Sequence, residues 1–360
     1  MTPISLAVHV SAGLCLFTLA GTPARAQTPA ERPGAEAVRA RVERALAQKD
    51  QPRALQAYEQ LREQYKVAAP DLLQAIATAR AEALRRDDDP RIKVEACAAL
   101  LLPGRHADCV SQMTTIANDA GVDLPSRLAA AGTLRKANLA GEQLFDFVLG
   151  QALTRSPTAA ADALAQLDPA ASRDPLKRLA ADSDNADARY MATMALARMR
   201  GDDLVPVLRT VASEKSAGAA RLAAYIGLAA NGDAEGLRVL NETLPLIKGR
   251  ERVEAALALI SLNDPRGPSL LAEVSQGDHD LLRIDAAEAM FPMRREAAGR
   301  VILDGLASGN PWVRARAIRA VEAVKMPQTA SLRRAMLDSN SWVAASATRA
   351  VLRDALTRPE

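Results

Sequence analysis

The sequence predicts an all-α fold, an α-solenoid of stacked antiparallel helical hairpins, and three observations carry that reading. Alanine occupies 76 of the 360 positions, while Phe, Trp and Tyr together make only 3% of the chain. That composition favours close-packed helices over a sandwich or barrel, which would draw on Val, Ile, Tyr and Phe. Long runs alternating apolar and polar residues are missing, so the period of a half-buried strand is not present. A motif of about 31 residues recurs in phase along most of the chain, as stacked helical repeats do. With 49% hydrophobic and 25% charged residues there is ample material for a large core, and a formal charge of +3 lacks the strong basic field of a nucleic-acid binder.

Residues 1–26 read as a signal peptide. An apolar run from Ile4 to Ala20 precedes Ala24-Arg25-Ala26, the small-x-small pattern of a cleavage site. Cleavage after Ala26 leaves Gln27 as the first residue of a periplasmic or secreted protein. The run is short for a spanning helix, which needs ~20 residues, so no stable membrane insertion is expected once the leader is gone. Residues 27–40, rich in Pro, Ala and Arg, read as a flexible lead-in. Residues 41–86 read as an N-terminal helical cap in which Leu55, Tyr58, Leu61 and Tyr65 share one face, a tetratricopeptide-like hairpin being one form open to it.

Residues 87–357 carry about nine repeats. NPWVRARAIRAV from Asn310 matches NSWVAASATRAV from Asn340, thirty residues on. Taking Val313 and Val343 as anchors, earlier copies align at Leu282, Glu251, Ala220 and Ala188, and weaker ones at Ser156, Ser126 and Ile92. Small residues recur four and seven places after the anchor, as at Ala317 and Ala320, Ala286 and Ala289, and Ala224 and Gly227. These positions share a helix face, and small side chains there let a neighbouring helix approach closely. A second amphipathic segment precedes each such helix, so every unit is a hairpin with an Asp, Asn, Gly or Pro turn. Stacked hairpins bury a continuous core and present a concave face. In the last unit Ala344 stands where most units carry a basic residue, as expected of a terminal cap with no following neighbour.

These units resemble the short HEAT-like repeats found also in phycobilin lyases, whose pattern runs Asp, a few residues, Val-Arg, then x-x-Ala-x-x-Ala-Leu. The resemblance covers roughly Asp87 to Leu356 and implies a HEAT-like superhelix. It implies little about function, because such repeats serve many roles.

A basic residue follows the anchor in most units: Lys93, Arg127, Arg189, Arg221, Arg252, Arg283 and Arg314. They form either a ladder of cations facing an anionic partner or a set of inter-repeat ties to turn residues such as Asp184, Asp278, Asn310 and Asp338. Trp312 and Trp342 fall at the same repeat position, so they are either partner anchors or a tandem staple between units. Cys97 and Cys109, six residues either side of Pro103, are a possible disulfide if their side chains face each other across a hairpin.

Catalytic and metal-binding patterns are sparse. After the leader only His106 and His279 remain, and no HExxH, CxxC, G-x-S-x-G or G-x-x-x-x-G-K occurs. No catalytic residue, metal or cofactor is therefore expected. Recognition is expected on the concave face, with Tyr190, Met191, Leu222 and Val253 as apolar anchors and Asp285, Glu288, Arg316 and Arg319 as a polar rim. The alternative is that the apolar members pack between adjacent helices. The sequence thus leads to the expectation of a non-enzymatic scaffold or adaptor holding a protein partner on its concave face, with a structural role in an envelope assembly as the alternative and a ligand-binding or enzymatic repeat protein behind it.

Overall fold

The computed structural model describes residues 33–104, 107–139, 142–165, 169–327 and 329–357. The expected signal peptide and His106 lie outside these residues. Every regular element among them is helical.

Helix α1 (Pro33–Ala47) opens at a proline, a residue suited to the first helical turn. It begins inside the stretch expected to be a flexible lead-in, because Val38, Val42 and Ala45 form a buried stripe, and α1 packs on α2 (Gln51–Tyr65). Helix α3 (Pro70–Leu84) then packs on α4 (Pro90–Leu101). The boundary expected at residue 86 therefore falls inside a hairpin, and α3 is the first helix of the first repeat.

Eight further hairpins follow among the described residues. They are α5 (Ala107–Asn118) with α6 (Leu124–Lys136), α7 (Glu142–Arg155) with α8 (Pro157–Ala165), and α9 (Pro169–Asp182) with α10 (Ala186–Met199). Next come α11 (Val205–Ser213) with α12 (Ala219–Ala230), α13 (Ala234–Thr243) with α14 (Gly249–Ser261), and α15 (Arg266–Ser275) with α16 (Asp280–Met290). The last are α17 (Arg295–Leu306) with α18 (Pro311–Ala323) and α19 (Ala330–Ala335) with α20 (Ser341–Thr357).

The turn residues of the repeat act as helix caps. Asp123 accepts from the Ser126 amide at 3.0 Å, Asn185 from Ala188 at 2.8 Å and Asn310 from Trp312 at 2.9 Å, each satisfying an amide that the first helical turn leaves without a partner. The small residues after each anchor do the packing: Ala192, Ala224, Ala255, Ala286 and Ala317 are fully buried. A Cβ on Gly227 would stand 2.9 Å from the Ala197 Cβ and 3.1 Å from the Leu208 Cδ1, so α12 approaches its neighbours as closely as glycine allows.

The second helices form an inner layer in which each packs on the next, from α4 through α6, α8, α10, α12, α14, α16 and α18 to α20. Helix α20 then packs on α3 and α4, so the solenoid closes into a ring. Three polar contacts fasten the seam. Arg349 Nη1 meets Glu95 Oε2 at 2.5 Å, Arg333 Nε meets Glu59 Oε1 at 2.6 Å, and Arg80 Nε donates to the Met336 carbonyl at 2.9 Å. Ala344 is fully buried, in a cluster with Leu84, Ile92 and Ala96. The expectation of a terminal cap is corrected: the last repeat has a following neighbour, and it is the first.

Candidate functional site

The ladder residues lie between repeats. The Nε of Arg127, Arg189, Arg221 and Arg283 donates to the carbonyls of Ala117, Ala180, Ala212 and Ser275, at the ends of the outer helices α5, α9, α11 and α15. Arg252 and Arg314 reach the carbonyls of Ile247 and Ser308 in the same way. A guanidinium suits this place because the last helical carbonyls have no partner in the helix and carry its negative dipole end. Several of these arginines also pair with an acid of the next repeat: Arg189 with Glu214, Arg252 with Glu273 at 2.7 Å, and Arg314 with Asp338 at 2.7 Å. Asp338 was among the expected partners. Arg283 instead takes Asp280, at 3.4 Å, and Asn310 caps α18. Lys93 stands half-exposed at the equivalent place on α4.

Closure makes the concave face the wall of a lumen. Its lining falls three, six and ten residues after each anchor, as at Glu95 and Ala98, Ala129, Gly132 and Lys136, Met191 and Arg198, and Asp285 and Glu288. Two cavities open there. One, of about 560 Å³, is bounded by α4, α6, α8, α10 and α20. The other, of about 690 Å³, is bounded chiefly by α10, α12, α14, α16 and α18, and the two meet at Asp162 on α8.

Asp285, Glu288, Arg316 and Arg319 are brought together in the larger cavity. Arg316 pairs with Asp285 at 2.6 Å and with Glu288 at 2.7 Å. The Arg319 guanidinium lies 5.5 Å from the centroid of the Trp342 ring, and Trp342 meets Trp312 edge to face at 4.8 Å. The two tryptophans therefore do touch across neighbouring repeats, while Trp312 keeps 59% of its surface exposed.

The four expected apolar anchors are not brought together. Met191 lines the smaller cavity. Val253 borders the larger one but is only 3% exposed and belongs to the packed core, so its expected role as an accessible anchor is corrected. Leu222 is half-buried against the cluster around Ile226 and Leu240. Tyr190 is half-buried, and its hydroxyl donates to Glu251 Oε1 at 2.9 Å. Burial and that bond to a carboxylate both push its pKa up. The reason is helical geometry: Tyr190, Leu222 and Val253 stand two places after their anchors, and that position turns toward the adjoining helix rather than the lumen.

Several lumen residues were missed. Arg198 pairs through Nε, at 2.9 and 3.0 Å, with both carboxylate oxygens of Glu254, which is 3% exposed. This pair and Tyr190–Glu251 both link α10 to α14, past the intervening α12. Arg349 also holds Glu322, at 2.9 Å. Lys136 titrates below the usual lysine range, through burial first and then through Arg349 and Arg353. The missing signal was the position ten residues after the anchor, where Lys136, Arg198 and Arg353 recur one helical turn past the expected site.

Arg200, Arg250 and Arg319 also face the larger cavity, and none of the three forms an ion pair among the described residues. The carboxylates Glu254, Asp285 and Glu288 in the same wall are taken by Arg198 and Arg316. Asp162 is the fourth carboxylate of this wall, so five arginines face four acids there, and Arg200, Arg250 and Arg319 are the three that stand outside the Arg198 and Arg316 ion pairs.

Cys97 and Cys109 are both buried and stand as free thiols. The Cys97 thiol donates to Gln112 Oε1 at 3.5 Å, and the neighbouring Cys97 holds Cys109 below the ordinary thiol range while Cys109 pushes Cys97 up. His279 caps α16 by accepting from the Leu282 amide at 3.4 Å. No group of three or more His, Cys, Asp and Glu disposed to hold a metal ion occurs among the described residues, and none of the described helices is long and apolar enough to cross a membrane.

No family model and no curated protein matches the chain in sequence. Among solved structures it is similar to human deoxyhypusine hydroxylase in complex with glycerol, at 21% identity and a TM-score of 0.36, over 68% of this chain and 95% of that one. The expectation of a non-enzymatic scaffold is corrected by this finding. That protein is by name an enzyme.

Proposed function

We propose that this protein is an exported ring of short HEAT-like repeats that binds a small organic anion in its lumen. One observation carries the reading: Arg200, Arg250 and Arg319 line a cavity of about 690 Å³ without carboxylate partners. Guanidinium groups are the side chains best shaped to hold carboxylate or phosphate oxygens in pairs. The volume lies within the range of small-molecule sites. Export rests on the apolar run from Ile4 and the Ala24-Arg25-Ala26 site.

Calorimetric titration with citrate, succinate and inorganic phosphate tests the site. At least one of these anions is expected to bind saturably, more weakly at high salt. Arg250→Ala is expected to weaken that binding at least tenfold at unchanged Tm, because Arg250 is exposed and unpaired. Absence of saturable binding by all three, or equal binding of the neutral analogue triacetin, would contradict the reading. N-terminal sequencing of protein from an envelope or culture fraction is expected to begin at Gln27, and an intact Met1 would overturn export.

A further inference from the structure

The two tryptophans are the feature of the sequence that the anion site leaves unused. Trp312 and Trp342 stand one residue before their repeat anchors, and on the two preceding inner helices that position holds Arg250 and Leu281. Helices α14, α16, α18 and α20 pack in succession, so the four positions follow one another along one rim of the ring. Arg250 and Leu281 line the larger cavity. Arg319, from the same wall, lies 5.5 Å from the centre of the Trp342 ring, and Trp342 meets Trp312 edge to face at 4.8 Å. A chain of contacts therefore runs from a cation of the cavity to an indole on its rim. Trp342 packs against the core, while Trp312 keeps 59% of its surface exposed. Large aromatic side chains gain most from buried contact, so an indole braced by a second indole and otherwise open is a surface suited to a flat partner. The acids of the wall are placed elsewhere: Glu254 is held by Arg198, Asp285 and Glu288 by Arg316, and Asp162 stands on α8, across the lumen from α18.

We propose that the ligand is an aromatic carboxylate, its carboxylate on Arg319 in the field of Arg250 and its ring stacked on Trp312. This rests on the anion-binding reading of the same cavity and adds the class of the ligand's body. The guanidinium fork takes the two carboxylate oxygens together. The indole selects the ring by shape and charge distribution, since two π systems stack with an offset that a puckered saturated ring cannot match. A saturated ring of equal carbon count has no less apolar surface to bury, so a preference for the aromatic one separates stacking from simple hydrophobic burial. Stacking on an aromatic side chain strengthens binding about tenfold.

Cyclohexanecarboxylate, benzoate and 2-naphthoate, titrated by calorimetry into the full chain, give the test. Both aromatic acids are expected to bind more tightly than cyclohexanecarboxylate, with 2-naphthoate ahead of it by about tenfold. Trp312→Leu, which keeps apolar bulk beside Trp342, is expected to erase that lead, and Trp312→Phe to keep most of it. Should Trp312→Leu fail to fold, the unaltered chain supplies a second reading, because Trp312 and Trp342 are its only tryptophans. Its fluorescence is then expected to be quenched saturably by 4-nitrobenzoate, a contact quencher of indole, with the midpoint of the calorimetric curve. Equal affinity for the three acids, an aromatic lead that survives Trp312→Leu, or quenching that rises linearly without saturating would overturn the aromatic ligand and leave the anion site standing. A series in which no acid binds would remove the anion site itself.

Discussion

Cys97 and Cys109 are placed where oxidation can join them. The two thiols stand buried on packed helices of adjacent hairpins, and Cys97 first, with Arg85 beside it, favours the thiolate of Cys109. A thiolate next to a thiol is the starting arrangement for a bridge in an oxidising compartment. Protein recovered from outside the cytoplasm and unfolded without reductant is therefore expected to show no alkylatable thiol, whereas two alkylatable thiols would reject the bridge. At this scale the sequence was partly readable. The spacing about Pro103 pointed to the cysteine pair, and the recurring basic residue pointed to inter-repeat ties. It could not show which carbonyl each arginine caps, because that depends on where the preceding outer helix ends. Val253 was misplaced by a single helical position, which is enough to move a side chain from lumen to core.

The helices themselves are held by capping and by small residues, and both were legible as recurring Asp or Asn and recurring Ala. Asp233 shows what one cap contributes to an outer helix. Its carboxylate accepts from the Gly236 amide at 2.9 Å and pairs with Arg209 at 2.6 Å. The amide bond first, and the guanidinium after it, hold its pKa below the ordinary 3.8. A depressed carboxylate contributes stability above its unfolded pKa and loses it as pH falls through the folded value. Asp233→Ala is expected to cost about 1 kcal/mol at pH 7, read as a lower Tm. The gap between the two proteins should narrow as pH falls below about 3.8. An equal gap at pH 7 and pH 2.5 would show that the carboxylate's charge is not what stabilises α13.

At the scale of the molecule, the repeat number was readable from the thirty-residue period, but closure was not. The contacts that close the ring join residues 254 and 274 positions apart, Glu95 with Arg349 and Glu59 with Arg333. No local pattern announces them, since a final repeat that docks on the first has the same small residues as one that docks on its neighbour. The lumen exists only because of that closure. Inner helices spaced about 8–10 Å apart would set nine hairpins in an open row of roughly 80–90 Å, whereas the same nine in a ring form a compact particle. Small-angle scattering from the chain lacking its first 26 residues measures the difference. A radius of gyration of about 20 Å, close to that of a compact domain of this length, is expected of the ring, and a value of roughly 27 Å or more would mean that α20 does not dock on α3 and α4 and that no lumen forms.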